Sequence, residues 1–182
     1  MSKFRLFFAM LLFSFSIVSC GGTALRTTAD YTTFAYVEVN YSQRIQNLVY
    51  GRVDNRIRMT ASQDVVQAPS TGRQDLHQVI LMHFGDESDN LITAERVEYE
   101  MRFLGLRPAT ALETLNFVNH SPYLLRELSI VAMGTYWRDL RNYPYVMVLS
   151  RHGGERAIEL WDLTEEFPLE YRFLAVPVQQ EE

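Results

Sequence analysis

Four side chains close together, His83, Asp86, Glu87 and Asp89, are of the types that ligate divalent cations. The run Asp86-x-Ser88-x-Asn90 also matches the opening of a calcium loop. The remainder of such a loop is missing. Its sixth position is Leu91, where glycine makes the sharp turn, and its twelfth is Val97, where glutamate closes the coordination shell. The segment reads as an acidic surface turn, and no metal site is expected. His152-Gly153-Gly154 has the composition of an esterase oxyanion loop. That chemistry needs a G-x-S-x-G nucleophile elbow, which the chain lacks, so Ser150 is not assigned as a nucleophile. The H-E-x-x-H zinc helix, the G-x-x-x-x-G-K phosphate loop and the G-x-G-x-x-G dinucleotide fingerprint are absent as well. Glu165 and Glu166 are adjacent carboxylates whose spacing fixes no geometry. No catalytic residue and no cofactor is expected from this set.

A second group of residues suits recognition better than catalysis. The segment Tyr136 to Tyr145 reads YWRDLRNYPY. Aromatic side chains and arginine are the types that anchor interfaces and stack on sugar rings. The candidate binding loop is Trp137, Arg138, Arg141, Tyr143 and Tyr145. Trp137 is expected to pack inward, with Arg141 and Tyr143 facing solvent. Arg44, Arg52, Arg56 and Arg58 form a basic stretch interrupted by Asp54. It suits either anionic headgroups, at about 1 kcal/mol per well-placed charge, or the solvated face of a hairpin. The second reading is preferred.

The single cysteine, Cys20, excludes a disulfide framework and a multi-cysteine zinc site. Its surroundings are specific. Lys3 and Arg5 precede an apolar run from Leu6 to Phe15, and Ile17-Val18-Ser19-Cys20-Gly21-Gly22 come next. Basic, apolar, then small is the layout of a secretory signal. The run is shorter than the roughly 20 residues a permanent span requires. Ile17-Val18-Ser19-Cys20 resembles the lipobox of bacterial lipoproteins, with isoleucine in place of the commoner leucine. The resemblance covers about the first twenty residues. It implies a diacylglyceryl group on the Cys20 thiol, cleavage before Cys20 and acylation of the new amine. Several chains would then hold the protein at the cell membrane, where a single chain anchors only marginally. Gly21, in place of aspartate, implies the outer membrane, facing the periplasm, where the source has two membranes.

Composition and periodicity predict the elements that must position these residues. The chain has 182 residues, 47% of them hydrophobic and 21% charged, enough apolar surface for one ordinary domain and too much for a disordered chain. The formal net charge of −5 argues against nucleic acid as a partner. Lys3 is the only lysine, so cleavage before Cys20 would leave arginine as the sole basic side chain apart from histidine. Residues 1–19 read as a signal peptide and 20–32 as the lipidated cysteine and a tether. Residues 33–178 form the folded domain, with a soft boundary near 105–108, and 179–182 a polar tail.

Within the domain, Phe34 to Tyr41 alternates as a half-buried strand does. Leu48 to Met59 reads as a hairpin around Asp54-Asn55, and 61–74 as a loop. Val79 to Phe84 reads as a buried strand. Val97, Tyr99, Met101 and Phe103 alternate with Glu98, Glu100 and Arg102, which predicts another strand. Thr110 caps a helix through ATALETLNFVNH, and Ser121-Pro122 opens a second short one running to Glu127. Ser129 to Met133 is β-favouring. Tyr145 to Arg151 and Arg156 to Leu163 flank a Gly153-Gly154 turn, and Arg172 to Val178 supplies a last strand. The fold class is α+β: mainly antiparallel β-sheet with one or two helices near residues 109–127.

The mature domain resembles no family of known function. The leading functional reading is a membrane-anchored, non-enzymatic lipoprotein of the cell envelope that binds a protein partner or supports an envelope assembly. Two alternatives stand beside it. One is a glycan- or peptidoglycan-binding module using the aromatic loop. The other is a lipid-anchored hydrolase whose site is assembled from distant residues.

Overall fold

The computed structural model describes residues 29–48, 52–53, 62–64, 74–85, 91–152 and 154–178. Cys20 and the rest of the signal and tether before Ala29 lie outside them. So do Arg56, Arg58 and the expected Asp54-Asn55 turn, the acidic segment Asp86 to Asn90, Gly153 and the polar tail. The elements in chain order are β1 (Ala29–Asn40), α1 (Ile45–Leu48), β2 (Arg52–Val53), β3 (Ser62–Asp64), β4 (Gln74–Phe84) and β5 (Leu91–Ile92). Then come α2 (Ala94–Phe103), β6 (Leu106–Pro108), α3 (Ala111–His120), a 3-10 turn (Leu124–Arg126) and β7 (Ser129–Arg138). β8 (Pro144–His152), β9 (Glu155–Asp162), β10 (Phe167–Pro168) and β11 (Tyr171–Pro177) complete the set.

The main sheet runs β1-β4-β11-β7-β8-β9-β2, with β3 added to β7 and β6 to β11. Most pairs are antiparallel, while β11–β7 and β2–β9 are parallel. This is the α+β architecture expected from the sequence. β5 and β10 form a separate two-stranded ladder.

The central strands are apolar on both faces, and two cores result. On one face Val79, Leu81, Leu174, Ile130, Met147 and Leu149 pack under α3. On the other Met82, Phe173, Val131, Val148 and Phe167 pack under α2. A strand covered by helices on both sides reads as a continuous apolar run instead of an alternating one. That explains VILMHF in β4, SIVAM in β7 and VMVL in β8.

The predicted strand at 97–103 is instead the second half of α2. The buried apolar residues are Ala94, Val97 and Met101, at the three- and four-residue intervals of a helical face, with Glu100 buried beside them. Val97 and Met101 fit both periods, but Tyr99 and Phe103 are exposed. Thr93 decides the outcome locally, because its side chain accepts from the Arg96 amide at 3.2 Å and caps the first turn. Gly105, at φ +70°, ends the segment in the left-handed region that favours glycine.

Other boundaries shift. β1 begins at Ala29, so Ala29 to Thr32, expected in the tether, pair with Phe84 to Leu81 of β4. The run Asp30 to Thr33 is exposed along its length, so no alternation marks it. Residues 62–64, expected in a loop, pair with Thr135 to Trp137. Within the expected hairpin, Leu48 ends α1, and β2 pairs in parallel with β9. Residues 106–108, near the soft boundary, are bonded into the main sheet through β11. The expected second helix is only the short 3-10 turn. Ser121 serves as the C-cap of α3, its amide bonded to Phe117 O, and the 3-10 turn has no side-chain cap of its own.

Strand directions give the sheet two distinct ends. β1, β7, β9 and β11 all start at one end, which also holds Phe84 and the β8–β9 turn at Gly154, a residue at φ +88°. The other end holds Asn40, Pro177, Asp162 and the segment 139–143 between β7 and β8. Among the described residues, no helix is long and apolar enough to cross a membrane.

The centre of the sheet contains a fork. β11 and β7 pair only from Tyr171↔Ser129 to Phe173↔Val131 and then diverge. Ala109 bridges the gap: its amide donates to Leu174 O at 2.9 Å, and its carbonyl accepts from the Gly134 amide at 2.9 Å. A Cβ on Gly134 would lie 2.7 Å from the carbonyl carbon and oxygen of Ala109. Gly134→Ala should therefore destabilise the domain by about 1–3 kcal/mol through overpacking. That corresponds to a Tm lower by about 3–10 °C, measured by thermal denaturation. An unchanged Tm would remove the close approach as a constraint.

Candidate functional site

Two groups of polar residues stand out, one sealed and one open. The sealed group begins with the cap of α3. Thr110 Oγ1 accepts from the Glu113 amide at 3.3 Å, and Glu113 Oε2 accepts from the Thr110 amide at 2.7 Å, a reciprocal capping box. The Ala111 amide, another free donor of the first turn, reaches Thr135 Oγ1 of β7 at 2.9 Å. Glu113 itself is 0% exposed. A buried carboxylate requires partners, and the surrounding elements supply them. Arg107 of β6 donates from Nη2 to Oε1 at 2.7 Å and from Nη1 to Oε2 at 3.0 Å, a two-pronged pairing. The Tyr41 hydroxyl, just past β1, donates to Oε1 at 2.6 Å. That hydroxyl lies 2.8 Å from Nε2 of His77 in β4. Its one proton goes to Glu113, so His77 Nε2 carries a proton and donates to the phenolic oxygen.

These contacts set the electrostatics. Burial by itself raises the Glu113 carboxyl, but the Arg107 fork, the Tyr41 hydroxyl and the Thr110 amide outweigh it and hold the group below the usual carboxylate range. The Tyr41 phenol is pushed far above its ordinary value, first by burial and then by the Glu113 charge. Burial lowers the Arg107 guanidinium, yet the bonds and charge of Glu113 more than restore it. A histidine, a tyrosine, a carboxylate and an arginine are the components of a proton-transfer site. Here both Glu113 oxygens are already engaged and closed off from solvent, so the group braces β1, β4, β6 and α3 against one another.

The open group is the segment between β7 and β8. Asp139 organises it: Oδ1 accepts from the amides of Arg141 and Tyr143, both at 2.9 Å. The Asn142 amide donates to Asp139 O at 3.0 Å, and Asn142 sits at φ +68°. Asparagine tolerates that region better than most side chains do. Arg138 Nη1 folds back onto Asn142 O at 3.0 Å. Leu140, Arg141 and Tyr143 are left facing solvent, Tyr143 at 48% exposure.

The five residues expected to form the binding loop thus separate. Trp137 lies in the core at 2% exposure, on the α3 side. Tyr145 is half-buried, opposite Trp137 in the β7–β8 register. Arg138 is exposed but bonded to its own loop. Arg141 and Tyr143 remain available. Leu140 joins them and was not expected, although an apolar residue between Asp139 and Arg141 in a turn is itself a signal. Beside the loop, on the α2 face, lies a cleft of about 380 Å³ lined by Glu95, Glu98, Tyr136, Pro144 and Leu163. The Tyr136 hydroxyl there is pushed up by burial and then by Glu98. Glu95 and Glu98 share one wall because they lie three residues apart on the same helix, α2.

Of the residues considered for a metal, only His83 is described. It lies opposite Asp30 in the β1–β4 register, and burial followed by the charge of Arg172 lowers its pKa. Among the described residues no three histidine, cysteine, aspartate or glutamate side chains are grouped to hold a metal ion.

The sealed network should set how stability depends on pH. Glu113 titrates lower in the fold than its unfolded value of about 4.3, so its stabilisation is complete above that pH and lost as pH falls through the folded value. Tyr41 titrates higher in the fold than its unfolded value of about 10, so its stabilisation is complete below pH 10 and lost as pH rises further. Glu113→Gln leaves the Arg107 charge without its partner and should cost about 3–5 kcal/mol. Urea midpoints measured across pH should show a weaker acid limb in this variant. Superposable profiles for variant and parent would show that the network contributes nothing. No family model matches this chain, and no curated protein or solved structure shows significant similarity to it.

Proposed function

We propose that the protein is a lipid-anchored envelope lipoprotein, non-enzymatic, whose domain engages a protein partner with the end of the sheet farthest from the anchor. The observation that carries this reading is the braced loop presenting Leu140, Arg141 and Tyr143. Its bonds through Asp139 hold the backbone that carries the exposed side chains in one arrangement, so docking forfeits less conformational entropy than docking of a slack loop. An aliphatic, a guanidinium and a phenol side by side are the side-chain types of protein interfaces. The acidic cleft with Glu95 and Glu98 next to them favours a partner segment that carries basic residues.

The anchor reading rests on the lipobox-like Ile17-Val18-Ser19-Cys20 and on strand direction. Ala29, the first described residue, lies at the end of the sheet opposite the loop. A chain tethered at Cys20 then holds the loop away from the membrane surface. The glycan-binding alternative is less well supported, because burial of Trp137 leaves Tyr143, about half exposed, as the one exposed ring of the expected set. A hydrolase has no observation in its favour.

Two measurements test the parts separately. Cys20→Ser should abolish lipid labelling and leave unprocessed precursor; normal maturation of that variant would end the lipoprotein reading. A photo-reactive amino acid at Tyr143 should capture one discrete protein in cells, and Asp139→Ala, which releases the loop, should reduce the yield several-fold. Capture of no protein would end the partner reading, and binding of the same chain to purified peptidoglycan would replace it.

A further inference from the structure

The end of the sheet nearest Ala29 carries a second cleft, of about 330 Å³, lined by Pro122, Tyr123, Leu125, Arg126, Arg151 and Arg156. Its floor is apolar and its cations are all arginine. Arg151 and Arg156 are direct cross-strand partners in the β8–β9 register. They share the α3 face, since Leu149 and Ile158, two residues away on each strand, both pack in the core beneath α3. Like charges directly opposite each other destabilise an antiparallel pair. A third arginine, Arg126, joins them from the 3-10 turn. Among the described residues no ion pair connects Arg126 or Arg151 to a carboxylate. Glu155, the adjacent acid, points to the other face by alternation. Arg156 Nη1 is fixed by Asn119 Oδ1 at 2.7 Å, which holds its guanidinium at the cleft wall.

A sheet that brings like charges together violates a local rule, and such violations mark functional positions. An anion lodged between Arg126 and Arg151, with Arg156 at the cleft wall, offsets the repulsion. A carboxylate presents its two oxygens in one plane to a single fork, whereas the two non-bridging oxygens of a phosphodiester diverge tetrahedrally and can each meet a different guanidinium group. Beside the cations, the Pro122, Leu125 and Tyr123 surfaces suit an apolar portion of the same ligand, and the Tyr123 ring is 58% exposed.

Strand direction says where this cleft lies. The β8–β9 turn and the start of β7 sit at the same end as Ala29. Cys20 is nine residues earlier, so it lies within about 30 Å of Ala29 even with the chain fully extended. The lateral distance from β1 to β9 is five strand spacings, about 24 Å. We infer that this cleft binds the phosphate of a membrane phospholipid and so orients the domain on the bilayer that anchors it. The choice of a lipid source rests on the proposed Cys20 anchor, whereas the phosphate chemistry does not.

The test uses the purified full chain and two soluble probes, dihexanoyl phosphatidylglycerol below its micellar concentration and glycerol phosphate. Calorimetric titration should give saturable binding of the lipid, at least tenfold tighter than of glycerol phosphate. The Arg126→Gln, Arg151→Gln double variant should weaken it tenfold or more. Arg102→Gln, exposed on α2 across the sheet, should leave it unchanged. Thermal denaturation of the double variant guards against a folding artefact. Loss of lipid labelling at Cys20 with retained lipid binding would remove the anchor and leave the cleft standing. Equal affinity for glycerol phosphate would overturn the lipid source. No saturable binding, or binding indifferent to both arginines, would overturn the site.

Discussion

Where β11 and β7 part at the centre of the sheet, one residue's peptide groups keep them joined. Ala109 donates to β11 and accepts from β7 at the point where those strands diverge. The bridge exists because Gly134 has no side chain to keep the backbones apart. Everything around it is arranged from this point. Arg107 precedes the bridge and Thr110 comes directly after it, so the capping box, the buried ion pair and the start of α3 are all set by where Ala109 sits. Thr135, next to Gly134, reaches back to the first turn of that helix. The bridge and the cap are two readings of one short segment, 107–113.

That arrangement explains why Glu113 tolerates complete burial. A carboxylate in an apolar core is strongly unfavourable alone, and a buried ion pair is weak support for stability compared with apolar packing. What the network provides instead is specificity. Four elements must arrive in one register for both carboxylate oxygens to be satisfied. A slip of β1 or β4 by one residue would turn Tyr41 or His77 to the other face. The buried polar group therefore selects one arrangement among the several that apolar strands permit.

Much of the architecture is legible in the sequence. The strands at SIVAM and RFLAV and the pair flanking Gly153-Gly154 announce themselves through apolar runs and turn residues, and Thr110 with Glu113 marks the start of a helix. The failures have physical causes. Residues 97–103 satisfy two periods at once, and only the Thr93 cap distinguishes them. Ala29 to Thr32 form a strand whose exposed residues leave no hydrophobic alternation. The sites are less legible. Tyr143 and Arg141 are recognisable from type and setting. The arginine cleft is not, because its three cations come from separate elements and meet only through strand register. The Tyr41–His77–Glu113–Arg107 cluster joins residues 72 positions apart and has no local signature.

The place of β11 in the sheet has a consequence for how the molecule assembles. It is the last described strand in the chain, yet it stands between β4 on one side and β7 and β6 on the other. The β1–β4 pair and the β7–β8–β9 meander can each form early, but neither can join the other until β11 arrives. Contacts of such long sequence separation are slow to close. Without β11 the described strands would form two half-sheets, each with an unmet edge. Any change that loosens β11 would therefore leave β4 and β7 each with a row of unpaired amides and carbonyls, the kind of edge that recruits strands from other chains.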